Sequence, residues 1–150
     1  MSDHFLVLIP EQPTYVPSPE ARSRAVDVLR ALVPGATKVE ARLAEHVEFI
    51  DQGANFEKVL CPGCGEDLTD RWPSWMDEAA KSKLSELSLT TPCCGRATDL
   101  NALRYVWPAG FARFALRAEN PAVGGFLALS DLSVLEGVVG CKLRQILAHY

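Results

Sequence analysis

Two short cysteine runs, Cys61-Pro62-Gly63-Cys64-Gly65 and Pro92-Cys93-Cys94-Gly95, hold four of the five cysteines of this 150-residue chain. Thiolates on tight Gly/Pro turns can converge on one cation, and two such turns can complete a tetrahedral shell of the kind Zn(II) prefers. Glycine next to the sulfurs supplies the positive φ and the close backbone approach that a metal knuckle needs. The reading is a structural Zn(II) held by Cys61, Cys64, Cys93 and Cys94. Structural zinc can bind with on the order of 10 kcal/mol, enough to order a segment that lacks a core of its own. The spacing C-x2-C at Cys61 and Cys64 is orthodox, whereas Cys93 and Cys94 are adjacent. A second arrangement is therefore open, in which one of that pair turns into the core and His46 or water takes the fourth position.

Other chemistry can be drawn from the same letters. A redox dithiol at Cys61 and Cys64 needs a helix starting at the first cysteine to depress its pKa. Gly65-Glu66-Asp67 follows instead, so no such helix is expected. A catalytic zinc keeps an open position and a proton carrier beside it. His46-Val47-Glu48 matches the letters of a deaminase half-motif, but period-two patterning puts His46 on a strand face. No nucleophile elbow, phosphate-cradling loop or paired-carboxylate motif is present, and no catalytic residue is assigned. Cys141 reads as a buried small hydrophobe in a C-terminal helix, and His4 and His149 as solvated termini. Arg104, Arg113 and Arg117, interleaved with Tyr105, Trp107 and Phe111, can form a base-stacking or partner-anchoring surface. The plainer reading puts the rings in the core and the arginines in solvent. Trp72, Trp75 and Met76 read as a small apolar core under the knuckles.

The elements that carry these residues can be drawn in outline. Phe5 to Ile9 is an apolar run that predicts a strand buried on both faces, and a Pro-rich loop follows it. Ser18 caps a helix that has Pro19 at its first position and is stopped by Pro34-Gly35. Alternation from Val39 to Phe49 predicts a strand with Val39, Ala41, Leu43, Val47 and Phe49 inward, and Glu45 marks an edge or bulge. Phe56 to Leu60 is expected to run back as a hairpin and deliver the first knuckle. Ser74-x-x-Asp77 predicts a helix through about Leu84, and Leu87 to Thr91 a strand into the second knuckle. Strands are expected around Leu103 to Trp107 and Phe111 to Ala118, with loop signals at Asn120-Pro121 and Gly124-Gly125. Ser133-x-x-Glu136 predicts a closing helix carrying Leu135, Val138, Val139, Leu143, Ile146 and Leu147.

This order predicts one α+β domain over residues 1–150. Its expected form is a two-layer sandwich, ferredoxin-like or a related split β-α-β arrangement, with a zinc-ribbon-like insert at about 57–98. Apolar residues make up 48% and charged residues 23%, as in soluble globular proteins. No run is long enough to span a bilayer, and Met1-Ser2-Asp3-His4-Phe5 lacks the basic region of a signal peptide. A cytoplasmic location is expected, where clustered thiols serve as metal ligands before disulfides. The net charge of −4 argues against nucleic acid and anionic membrane as partners and favours a basic protein.

The two cysteine runs, followed by Trp107-Pro108-Ala109-Gly110-Phe111-Ala112-Arg113-Phe114, resemble small bacterial zinc-ribbon proteins, some of the toxin-immunity type. The resemblance covers the middle and C-terminal parts of the chain. It implies a non-catalytic bacterial cytoplasmic protein and leaves the partner open; together with the acidic balance and the missing catalytic set, the expectation is protein–protein contact, with a cognate toxin as the partner to look for. It carries over no residue of a binding surface.

Overall fold

The computed structural model describes residues 3–122 and 125–150. Of the Gly124-Gly125 loop signal, Gly124 lies outside the described residues, as do Met1 and Ser2.

The elements run β1 (His4–Pro10), α1 (Pro19–Leu32), β2 (Lys38–Ile50), β3 (Lys58–Leu60), α2 (Trp72–Ala80), β4 (Ser88–Thr90), β5 (Ala97–Asp99), β6 (Arg104–Val106), β7 (Gly110–Glu119), α3 (Leu129–Val139) and β8 (Leu143–His149). Four strands form an antiparallel sheet in the order β2-β7-β1-β8. Taken as β1-α1-β2-β7-α3-β8, this is the βαββαβ connectivity and strand order of a ferredoxin-like sandwich. The predicted α+β two-layer class is the one observed. Between the second and third sheet strands runs a long excursion, with two small antiparallel pairs, β3 with β6 and β4 with β5. Among the described residues no helix is long and apolar enough to cross a membrane.

β1 is apolar on both faces because both are covered. Leu6 and Leu8 pack with Leu29 of α1, Leu135 and Val139 of α3, and Phe114 and Leu116 of β7. Val7 and Ile9 point the other way and pack with Ala112, Ala115, Ile146 and Ile50. The second cover comes from the β2–β7 ribbon, whose register breaks between Leu43↔Phe114 and Glu48↔Ala112. Ala44 to Val47 stand there opposite Arg113 alone. The Arg113 side chain fills the gap by donating its Nε–H to the Ala44 carbonyl at 3.1 Å. Glu45 thus marks both an edge strand and a bulge, and the bulge lets the ribbon bend.

Several sequence expectations need correction. Ala41 and Leu43 are exposed because β2 is the outermost strand. β3 pairs with β6 rather than folding back on β2. α2 starts at Trp72, ahead of the Ser74-x-x-Asp77 box, and has no side-chain cap. α3 likewise starts at Leu129 rather than at Ser133. The expected closing helix ends at Val139, and Leu143, Ile146 and Leu147 belong to β8. Gly140 makes the break: it adopts φ 90° and its N–H returns to the Glu136 carbonyl at 2.8 Å. Ser18, by contrast, caps α1 as expected, accepting the Ala21 N–H at 3.2 Å.

The excursion has its own core, made of Val59, Cys61, Leu68, Ala79, Leu100, Leu103 and Tyr105, with Trp72, Trp75 and Met76 packed against it. Phe49 and Phe111 of the ribbon join it, their ring centroids 5.1 Å apart. Asn101 and Arg144 fasten it to the sheet. The Asn101 side chain donates to the Glu11 carbonyl and accepts from the Phe111 N–H, and the Arg144 guanidinium reaches the Asn101 and Ala109 carbonyls.

Candidate metal centre

The first knuckle leaves β3 and the second joins β4 to β5, so each thiol pair sits on a short turn anchored by a small strand pair. Among the described residues, the sulfurs of Cys61, Cys64, Cys93 and Cys94 lie within 4.8 Å of one another and can hold a metal ion. Sγ of Cys61 is 3.7 Å from that of Cys94, and Sγ of Cys64 is 3.3 Å from that of Cys93. Metal–sulfur bonds of about 2.3 Å in a tetrahedron place sulfurs about 3.8 Å apart. The donor set and its spacing therefore fit one four-coordinate ion.

The turns also prepare the sulfurs electrostatically. Cys61 is buried, and its Sγ accepts the Gly63 N–H at 3.4 Å. The Cys64 and Gly63 backbone N–H groups hold its thiol down to about 6. Cys93 moves the other way, to about 12, pushed first by loss of solvent around its sulfur and then by the neighbouring thiols. Four such sulfurs ionise together only when a cation offsets their mutual repulsion.

Both members of the adjacent pair face the cluster, and the residue that turns inward is Thr91. The two knuckles are the same turn. Cys61 N–H donates to the Glu66 carbonyl at 2.8 Å, and Thr91 N–H to the Arg96 carbonyl at 2.9 Å. Gly65 N–H returns to the Cys61 carbonyl at 3.0 Å, and Gly95 N–H to the Thr91 carbonyl at 2.9 Å. Gly65 and Gly95 both take positive φ, 78° and 67°. Thr91 thus stands where Cys61 stands, Cys94 where Cys64 stands, and Cys93 where Gly63 stands. Thr91 is 1% exposed, and its Oγ1 accepts the Arg96 N–H at 2.9 Å and lies 3.3 Å from Cys94 Sγ. Sequence reasoning passed over this residue, although the letters Pro-x-Cys-Gly recur in both turns and give the alignment.

The remaining sequence candidates lie elsewhere. His46 is exposed on the bulge and lines a cleft of about 800 Å³ between the excursion and the sheet, together with Arg113 and Lys83. The Glu48 carboxylate is taken up by the Arg42 fork at 3.0 and 2.9 Å, which holds its pKa below the usual range. Neither residue belongs to the thiol group. Of the interleaved arginine and aromatic residues, only Arg104 and Trp107 are exposed without a place in the core or the bulge. Tyr105 and Phe111 are in the core, Arg117 lies over the Phe5 ring at 4.5 Å, and Arg113 fills the bulge. Cys141 is half-buried in the turn after α3 rather than within a helix. His4 and His149 stack on each other across β1 and β8, ring centroids 4.2 Å apart. Compared with known proteins, the chain matches no family model, no curated protein and no solved structure.

Proposed function

We propose that Cys61, Cys64, Cys93 and Cys94 hold one structural Zn(II), and that the protein acts without catalysis, as a zinc-braced surface for a protein partner. The closed set of four thiols carries the reading. Four sulfurs fill the coordination shell, whereas a catalytic zinc uses three protein ligands and leaves the fourth position to water or substrate. The partner is a basic polypeptide, in keeping with the net charge of −4, and the resemblance of the knuckles to toxin-immunity proteins makes a toxin domain the partner of choice.

Native mass spectrometry of protein isolated from its own host without chelator tests both halves. One zinc per chain, lost in the Cys61→Ser variant, and a co-purifying basic polypeptide are the expected result. A chain free of metal overturns the centre, and zinc without any bound polypeptide overturns the partner.

A further inference from the structure

We infer that the shifted second knuckle makes Cys64 and Cys93 a site of oxidative modification, at which a peroxide converts the two metal thiolates to a disulfide and releases the metal. This rests on the metal-centre reading above. In the first knuckle the ligand at the opening position, Cys61, is buried. The second knuckle has Thr91 in that buried position and carries its extra sulfur on Cys93, which is exposed. The centre is thereby left with three exposed cysteines, Cys64, Cys93 and Cys94.

The three are not alike. Cys94 Sγ faces the Thr91 hydroxyl at 3.3 Å and pairs across the site with Cys61, whose sulfur accepts the Gly63 N–H. Thr91 Oγ1 accepts the Arg96 N–H at 2.9 Å and stands 3.4 Å from the Arg96 carbonyl as well as beside Cys94. A hydrogen bond to a thiolate withdraws charge and blunts its attack on electrophiles. Cys64 and Cys93 touch each other at 3.3 Å, and among the described residues no backbone N–H is directed at either sulfur. They belong to two exposed residues, and their sulfurs stand closer together than those of Cys61 and Cys94, at 3.3 Å against 3.7 Å. Contraction to a bonded distance of about 2.0 Å joins them.

The step balances with hydrogen peroxide as oxidant. One thiolate attacks a peroxide oxygen, the S–O bond forms as O–O breaks, and the departing hydroxide takes a proton to become water. The second thiolate attacks that sulfur, S–S forms as S–O breaks, and the second hydroxide leaves as water after protonation. The sulfurs give up two electrons and the peroxide takes them. Cys61 and Cys94 alone cannot complete a tetrahedral shell, so the ion passes to solvent.

The test treats the zinc-loaded protein with excess hydrogen peroxide beside a chromogenic zinc chelator. Fragmentation mass spectrometry of the linked peptides then assigns the first disulfide. Expected are release of one zinc per chain, a Cys64–Cys93 link, and recovery with dithiothreitol and zinc. A Thr91→Cys, Cys93→Gly double variant restores two regular knuckles, and it is expected to load zinc and lose it at least tenfold more slowly. Zinc retained through the treatment, a first link between other cysteines, or equal rates in the double variant overturns the inference. A protein that carries no zinc before oxidation overturns the metal reading instead, while the link map still reports on the pair. Should the double variant not fold, the wild-type link map decides.

Discussion

Thr91 is a buried hydroxyl in the place that the companion turn gives to a metal ligand. Its hydroxyl satisfies the Arg96 N–H and faces Cys94, so under the proposed metal centre it would orient a ligand without binding the ion. Thr91→Val keeps the shape and removes the hydroxyl's contacts to the Arg96 N–H, the Arg96 carbonyl and Cys94 Sγ. Zinc affinity is expected to fall by about 10-fold or more, in the range found when such outer partners are lost, as measured by chelator competition. At this scale the gathering of four thiols was legible in the letters, because two cysteine runs on Gly/Pro turns are spaced to converge on one point. The fasteners were not. Nothing local distinguishes Asn101 from any loop asparagine, and Arg144 was read into a helix. Their work is defined only by backbone groups that are remote in the chain, the Glu11 and Ala109 carbonyls.

Elements were legible where one period or one cap dominated, and misread where two periods coincide. From Leu135 to Leu147 the apolar positions satisfy a helical spacing across Gly140, so the run reads as one helix although it is a helix and a strand. The stop is chemical. Gly140 takes φ 90°, and a Cβ there would meet Tyr15 Oη at 2.8 Å, the hydroxyl that donates to the Val139 carbonyl at 2.7 Å. Glu136 then accepts the Leu143 N–H at 2.9 Å and starts β8. Its side chain works at the end of α3, not in a box at its start. Gly140→Ala is expected to destabilise the fold by on the order of 1–2 kcal/mol, read from urea denaturation, since it combines an unfavourable φ with a steric contact. A loss indistinguishable from zero would mean that the turn has other conformations open to it. β2 was misread for a related reason. Alternation reports which residues share a face, but not whether a neighbouring strand covers that face.

At the scale of the whole molecule, the α+β two-layer class followed from the sequence of periods, whereas the strand order and the pairing inside the excursion did not, because the last sheet strand, β8, shares a helical spacing with α3 and strands as short as β3 to β6 carry almost no periodic signal. Two tyrosines report on the assembled state. Burial raises the Tyr105 phenol above its ordinary value, and burial followed by the Asp51 carboxylate raises Tyr150 to about 12. The folded protein thus keeps protons that the unfolded chain releases near pH 10. Stability must therefore fall as pH rises from about 10 towards 12, which thermal melts across that window would show as a decreasing Tm. Metal removal divides the molecule differently. The cluster under α1 and α3 and the cluster beneath the ribbon contain no ligand cysteine, whereas the excursion core includes Cys61. With the proposed ion in place, stripping it would leave four crowded sulfurs at the end of the excursion and remove the cross-link between β3 and the β4–β5 pair, while the sheet's own packing stays untouched. Hydrogen exchange after chelation is expected to lose protection through the knuckles, β4 and β5, and to retain it in β1, β7 and β8. Equal loss in both regions would show that the fasteners at Asn101 and Arg144 couple the excursion to the sheet so tightly that the ion braces the entire fold.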